Sequence, residues 1–176
     1  PGVGPGEIYL RGNKKTRENH GRVFQITGSH INIEGFTIDG YDGGGTSKSD
    51  YTGDTLLYIL APKHSSNSGP TGINIRNMRF LNSGGECLRL RYWVSNVKIE
   101  NNYFSKCGLY AFRFKDGGVN GEAIYIGTAH NQRKENREDF GWRTESDNTR
   151  SITVRGNTMI TEGNECVDIK KDANNV

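Results

Sequence analysis

The chain has 176 residues, which suits one domain, and a net charge of +3 from 23 basic and 20 acidic residues. This balance does not favour a general nucleic-acid clamp, and no apolar run is long enough for a membrane-spanning helix. With 24 Gly and 18 Asn but only 5 Ala and 8 Leu, the composition disfavours helices and favours short strands joined by tight turns.

Four segments align without gaps and define a first repeated element. Each has an apolar residue at its third and eighth positions and Gly or Asn at its fifth, which predicts a fixed left-handed bend. At the sixth position Asn102 and Asn157 predict a ladder of side-chain amides. The segments are residues 31–38, 73–80, 97–104 and 152–159.

A second element alternates with the first along the chain. It is predicted to be a short strand, because apolar side chains occur at every second position. It occurs at residues 86–91, 122–127 and 165–170, with looser versions at 22–26 and 54–60. One face is apolar, with Leu88, Ile124 and Val167 in equivalent positions. The other face carries two rows of side chains: Arg89, Tyr125 and Asp168, then Arg91, Gly127 and Lys170.

Two short strands per unit, a fixed bend and a shared apolar column predict an all-β solenoid. We expect a right-handed parallel β-helix of about five coils that forms a single domain over residues 1–176. Its loops would cover about residues 41–54, 61–72 and 128–149, and it would be incomplete at both ends, as part of a longer chain. An antiparallel sandwich also has short strands and turns, but it would not repeat one column so regularly.

Four stretches resemble secreted proteins of the pectate-lyase-like β-helix superfamily: GECLRLR, NNYFSKCG, NGEAIYIGTA and NECVDIK. The resemblance covers most of the chain from about residue 20. It implies the β-helix fold and a secreted location. It does not imply one activity, because that superfamily holds lyases, hydrolases, tailspikes and adhesins.

The outer rows of the second element suit an anionic sugar chain, because Arg binds a carboxylate through two parallel hydrogen bonds and Tyr can stack on a sugar ring. The alternative is a solvated face on which Arg and Asp pair weakly. Loops 61–72 and 128–149 leave from the same corner and would wall this face into a groove, although they could equally be disordered or contact a partner. The candidate binding residues are Arg89, Asp168, His130, Arg133, Trp142 and Arg143.

A polysaccharide lyase must neutralise a uronate carboxylate, remove the C5 proton and protonate the leaving oxygen. Arg89 and Arg91 are the candidate neutralising residues, Tyr125 the acid and Lys170 the base. Cationic neighbours would lower the pKa of Lys170, whereas Asp168 would raise it, so the sign is open. The catalytic candidates are therefore Lys170, Arg91 and Tyr125.

One subgroup of that superfamily, resembling chondroitinase B and its related alginate lyases, has a Glu five residues before its catalytic Lys. Glu165 and Lys170 have this spacing, but Gly163 stands where the subgroup has a second Ca²⁺-binding Glu. Glu86, Glu122 and Glu165 begin three equivalent strands. We expect these carboxylates to accept backbone N–H bonds at tight corners; a Ca²⁺ site at Glu122 and Glu165 is the alternative.

Cys87 and Cys107 lie on adjacent segments, so a disulfide between them is feasible and would suit a secreted protein. Cys166 is two coils from Cys87, too far for direct bridging.

Our main hypothesis is an extracellular protein that binds an acidic cell-wall or matrix polysaccharide; if it is catalytic, it would cleave this polymer by β-elimination. The alternative is a structural or adhesive module, such as a filament subunit or spike segment, whose copies associate end to end because neither end shows a polar cap. Nucleic-acid binding and membrane insertion are not expected.

Overall fold

The computed structural model describes residues 8–12, 21–62, 65, 67–115, 121–132, 146–163 and 165–176. Within these ranges the protein is all-β, with fourteen short strands, numbered in chain order, in three parallel sheets. The first sheet contains β1 (Tyr9–Arg11), β4 (Thr37–Asp39), β7 (Arg79–Leu81), β10 (Tyr103–Ser105) and β13 (Thr158–Ile160).

The other two sheets are built in the same way. The second contains β2 (Phe24–Ile26), β5 (Leu57–Leu60), β8 (Leu88–Arg91), β11 (Ile124–Ile126) and β14 (Val167–Ile169). The third contains β3 (Asn32–Glu34), β6 (Thr71–Arg76), β9 (Ser95–Glu100) and β12 (Arg150–Arg155). The described helical segments are α1 (Leu109–Phe112) and two 3₁₀ turns, Lys48–Asp50 and His130–Gln132. No helix in the described ranges is long and apolar enough to cross a membrane.

From β3 onward the chain visits the third, first and second sheets in the same cyclic order, four times over. Each strand pairs in parallel with the strand one repeat earlier. The predicted alignment is confirmed in the third sheet, where Ile33, Ile75, Ile99 and Val154 are register partners. It is also confirmed in the first sheet by Ile38, Phe80, Phe104 and Met159.

The bend between the third and first sheets has left-handed backbone in every repeat, as the sequence predicts. The φ values are 79° at Gly35, 53° at Asn77, 56° at Asn101 and 65° at Gly156. Asn tolerates this region better than other side chains with a Cβ. The bend therefore turns the chain at the same point in successive repeats.

The predicted amide ladder is also present. The Asn102 side-chain amide donates to Asn157 Oδ1 at 2.9 Å and to the Ile75 carbonyl at 3.0 Å. Met78 N–H in turn donates to Asn102 Oδ1 at 3.0 Å. These bonds satisfy buried polar groups where the chain leaves one sheet for the next.

The apolar side chains of all three sheets meet in one continuous core, in which the Phe80 and Phe104 rings stack with centroids 4.7 Å apart. Cys87 and Ala123 also belong to this core. Strict alternation with Arg89 and Tyr125 predicts that both lie on the outer face; this is wrong, because β8 and β11 begin only at the next residue. Cys87 forms a disulfide with Cys107, and Cys166 is an exposed free thiol.

Removing the disulfide by the double substitution Cys87→Ala and Cys107→Ala should lower the free energy of unfolding by about 3 kcal/mol. The closed loop, with a sequence separation of 20 residues, restricts the unfolded chain. Denaturant titration measures the change, with Cys166→Ser as the matched control that should leave stability unaltered. Equal stability of the double variant and the wild type would contradict a structural role for this bond.

Candidate functional site

The parallel register of the second sheet places one outer column of side chains together: Gln25, Tyr58, Arg89, Tyr125 and Asp168. Leu88 and Leu90 point into the core, so the strand alternation sends Arg89 and Arg91 to the opposite face. Lys170 directly follows β14 on that face, and its N–H donates to the Ile126 carbonyl at 2.8 Å. The structure thus brings Arg89, Arg91, Tyr125, Asp168 and Lys170 together, as the sequence predicts.

This face is not the open patch that the sequence led us to expect. Arg89 is 6 %, Arg91 3 % and Tyr125 2 % exposed. The Tyr125 ring is buried and packs against the cations of Arg91 and Lys170, so in this arrangement it offers no open face to a sugar ring. Tyr58, Leu60, Ala61, Tyr92 and Trp93 form a separate buried cluster at the same sheet.

The turn after β8 joins the bases of the two loops. Tyr92 and Trp93 both have left-handed backbone, with φ of 64° and 63°, which is uncommon for large side chains. Their N–H groups donate to the buried Asp147 carboxylate at 2.8 Å and 3.0 Å. Thr149 Oγ1 donates to the same carboxylate at 2.7 Å, as does Thr128 Oγ1. Asp147 therefore fixes both ends of the 128–149 loop against the end of β8.

The 61–72 loop reaches the same turn. A Cβ at Gly69 would lie 2.4 Å from the Tyr92 carbonyl oxygen, so only glycine permits this approach. Trp93 Nε1 donates to the Ser146 carbonyl at 2.9 Å, which ties in the other loop. The two loops follow β5 and β11, which belong to one sheet.

Arg89 lies in a buried network of ions. Its guanidinium pairs with Glu86 and, at 2.8 Å, with Asp54, and Arg22 contacts Asp54 at 3.2 Å. Burial raises the pKa of Asp54, but the charges of Arg89 and Arg22 outweigh it and hold this pKa below its usual value. Glu86 was expected to accept backbone N–H bonds; instead it binds Arg89 and Thr55 Oγ1 side chains, because Arg89 lies three residues ahead on the same face.

Two tyrosine rings lie between the cationic side chains on this face of the second sheet. Arg22 and Arg89 lie over the Tyr58 ring, with Cζ 4.6 Å and 5.3 Å from its centroid. Arg91 Cζ and Lys170 Nζ lie 4.5 Å and 4.6 Å from the Tyr125 centroid. Ring faces attract cations, so each ring stabilises two positive charges. Burial raises the pKa of Tyr58 to about 12.

Lys170 donates a hydrogen bond to Asp168. Burial disfavours the ammonium, but the Asp168 hydrogen bond and the charges of Tyr125, Asp168 and Glu122 prevail, so the pKa of Lys170 is raised. The structure thereby decides the sign that the sequence left open. A protonated amine holds no lone pair for a proton, so this arrangement favours Lys170 as a cation or acid rather than as a base.

Three carboxylates converge beside Lys170. Oxygens of Glu122, Glu165 and Asp168 lie within 4.8 Å of one another. Glu122 accepts the Gly121 N–H at 3.0 Å, as predicted for such a corner, yet burial raises its pKa. Ca²⁺ takes six to eight oxygen ligands. These residues could supply three of the ligands, in competition with the Lys170 ammonium for Asp168.

The remaining predicted residues do not join this cluster or lie outside the described ranges. His130 is exposed on a 3₁₀ turn. Arg133, Trp142 and Arg143 are outside the described residues.

Four further residues that shape the site were not among the predicted ones: Arg22, Asp54, Tyr58 and Asp147. Tyr58 could have been found, since residues 54–60 were recognised as a loose repeat and Tyr58 is the register partner of Arg89. Asp147 could not, because no repeat connects it to the turn that it binds, more than fifty residues earlier.

Comparison with known proteins found no matching family model, no similar curated protein and no similar solved structure.

Replacing Arg89 with Met should destabilise the fold by about 3–5 kcal/mol, because the buried Glu86 carboxylate and Asp54 lose their cation. The matched control is Arg155→Met on the third sheet, where an arginine side chain that is 77 % exposed pairs with Glu100. Such surface pairs contribute less than about 1 kcal/mol. Denaturant unfolding measures both, and equal losses would contradict the buried network.

The wild type should lose stability at alkaline pH as the buried Tyr58 phenol is forced to ionise, and Tyr58→Phe should abolish this loss. The phenol pKa is raised from 10.0 to about 12 on folding, so its contribution is intact below pH 10 and is lost as pH rises through about 12. The free energy of unfolding of the variant minus that of the wild type should therefore be roughly 2–3 kcal/mol more positive near pH 12 than at pH 8. Denaturant titrations at stepped pH test this, and a stability difference independent of pH would contradict it.

Proposed function

We propose that this chain is a right-handed parallel β-helix of the pectate-lyase-like kind, secreted, which binds an acidic polysaccharide on the outer face of its second sheet. The repeated cyclic strand order, the in-register parallel pairing and the recurrent left-handed bends support the fold. A disulfide supports an oxidising compartment.

The observation that carries the proposed function is the convergence of cations between the bases of two loops. Arg22, Arg89, Arg91 and Lys170 all lie against two tyrosine rings on one sheet face. Side-chain carboxylates offset part of this charge. A polymer of uronic acids presents regularly spaced carboxylates, which match positive groups on successive strands.

Lys170 is the member of this group that a polymer would meet first, because its side chain is 25 % exposed. A ligand carboxylate would replace or share the Asp168 partner of its ammonium. Binding needs only the ammonium. Elimination with Lys170 as base would additionally need the Asp168 hydrogen bond to open and the amine to lose its proton.

Lys170→Ala should weaken binding of polygalacturonate or alginate by about tenfold or more, the effect of losing a charge-assisted hydrogen bond. Lys98→Ala, an exposed lysine on the third sheet, is the matched control and should bind as wild type does. Affinity electrophoresis in gels containing each polymer, with dextran as the neutral polymer, measures binding. Retardation by no acidic polymer, or equal retardation by dextran, would contradict the proposal.

The same proteins should be assayed for unsaturated products by ultraviolet absorbance, with and without Ca²⁺. A rise that Lys170→Ala abolishes would extend the function to a lyase that uses Lys170. Self-association, the alternative function, stays a prediction, and sedimentation velocity on these samples would measure it.

A further inference from the structure

The turn that follows β8 has an uncommon backbone. Tyr92 and Trp93 are consecutive residues in the left-handed region, with φ of 64° and 63°. This region disfavours residues other than Gly, Asn and Asp, so large side chains stay there only where the surrounding structure holds them. Both side chains are buried. Strained backbone of this kind clusters at switch regions, where it relaxes once its support is removed.

The support of this turn is one carboxylate. Asp147 accepts the N–H groups of Tyr92 and Trp93 at 2.8 Å and 3.0 Å. It also accepts the Thr149 N–H at 3.2 Å and the hydroxyl groups of Thr149 and Thr128. Asp147 is itself 2 % exposed. Because a buried polar group that loses its partner is costly, these hydrogen bonds should form or break as a set.

Both loops at this corner contact the turn. Gly69, in the loop that follows β5, lies so close to the carbonyl groups of Tyr92 and Trp93 that there is no space for a Cβ. Trp93 Nε1 donates to the Ser146 carbonyl at 2.9 Å, near the end of the loop that follows β11. A change of backbone conformation in the turn would therefore displace the bases of both loops together.

The turn also covers part of the cationic face of the second sheet. This face consists of two tyrosine rings and the cations around them: Tyr58, Tyr125, Arg22, Arg89, Arg91 and Lys170. Tyr92 and Trp93 pack with Tyr58 in one buried cluster. Since Tyr58 is 1 % exposed, a sugar can contact its ring only after this cluster opens.

We propose that Asp147 is a latch. While its carboxylate holds the turn at Tyr92 and Trp93 in left-handed backbone, the cationic face is closed at Tyr58; release of the carboxylate opens the bases of both loops together and admits the polysaccharide. This inference rests on the proposed function and adds a closed and an open state to it. A protein whose binding-competent state is a minor one binds its ligand more weakly, in proportion to the population of that state.

The fluorescence of Trp93 tests the latch without any ligand. The chain has two tryptophans, so Trp93 is the only one in a Trp142→Phe protein. In that protein, Asp147→Ala should shift the emission to longer wavelength and increase quenching by acrylamide, while the far-ultraviolet circular dichroism of the sheets stays unaltered. Glu100→Gln removes a carboxylate from the third sheet and is the matched control, with unchanged emission. Unchanged emission in Asp147→Ala would overturn the latch.

Glycine in the turn separates stored strain from simple hydrogen bonding. Tyr92→Gly keeps the N–H that donates to Asp147, but glycine adopts left-handed backbone without penalty. The turn then keeps its shape without the carboxylate, so Asp147→Ala should shift the Trp93 emission less in the Tyr92→Gly protein than in its parent. Equal shifts would show that no strain is released and would overturn the latch. Asp147→Asn keeps one acceptor oxygen and serves in both comparisons if the alanine variant fails to fold.

Affinity electrophoresis with polygalacturonate and alginate tests the link to the cationic face. Asp147→Ala should bind about tenfold or more tightly than wild type, because an open state populated at about a tenth or less limits the wild type. Equal or weaker binding by a variant with shifted emission would overturn this link and leave the proposed function standing. Shifted emission without binding of any acidic polymer by either protein would refute the proposed function, and with it the ligand named here, while the latch itself would stand.

Discussion

Parallel, in-register pairing between successive repeats is the constraint on which the structure depends. Each strand must present its apolar residues to one shared core, as the continuous column of Ile33, Ile75, Ile99 and Val154 shows. Because side chains alternate along a strand, the same register fixes which residues stand outside. The position of Arg89 beside Tyr58 and Tyr125 is therefore a consequence of where Leu88 and Leu90 are buried.

Stacking at strand spacing would bring like charges close together if every repeat carried the same outer residue. On the second sheet the chain avoids this by alternating types, with Tyr58, Arg89, Tyr125 and Asp168 in successive strands. Tyr58 lies between Gln25 and Arg89 and Tyr125 between Arg89 and Asp168, and each ring offers its faces to cations. This alternation allows several positive groups to be concentrated on one buried face, where protein carboxylates neutralise Arg89.

Features that repeat along the chain could be predicted from the sequence, since the fold itself repeats them. The bend at Asn77 and Asn101, the Asn102–Asn157 amide ladder and the partnership of Ile124 with Leu88 all follow from aligned residues. Each of these features depends on a contact with the neighbouring repeat, so the same residue pattern recurs several times in the sequence and can be recognised there.

Features that occur once could not be predicted in the same way. The turn at Tyr92 and Trp93, which directly follows β8, is stabilised by a distant carboxylate, that of Asp147. Glu86 occupies the same repeat position as Glu122, yet it pairs with Arg89, whose equivalent on the strand after Glu122 is a tyrosine. The charge state of Lys170 likewise depends on the balance between burial and Asp168, which residue types alone leave undetermined.

The central claim is that the parallel register collects a cationic face on the second sheet to which, as proposed, an acidic sugar binds, and it can be tested directly at the arginine side chains of that face. Arginine Nε–Hε resonances would be assigned by nuclear magnetic resonance, using Arg89→Lys and Arg91→Lys, and followed during titration with glucuronate. The account predicts saturable shifts of the Arg89 and Arg91 signals with one common dissociation constant, while the Arg155 signal stays in place. Shifts confined to exposed arginines, or no saturable shift at Arg91, would contradict it.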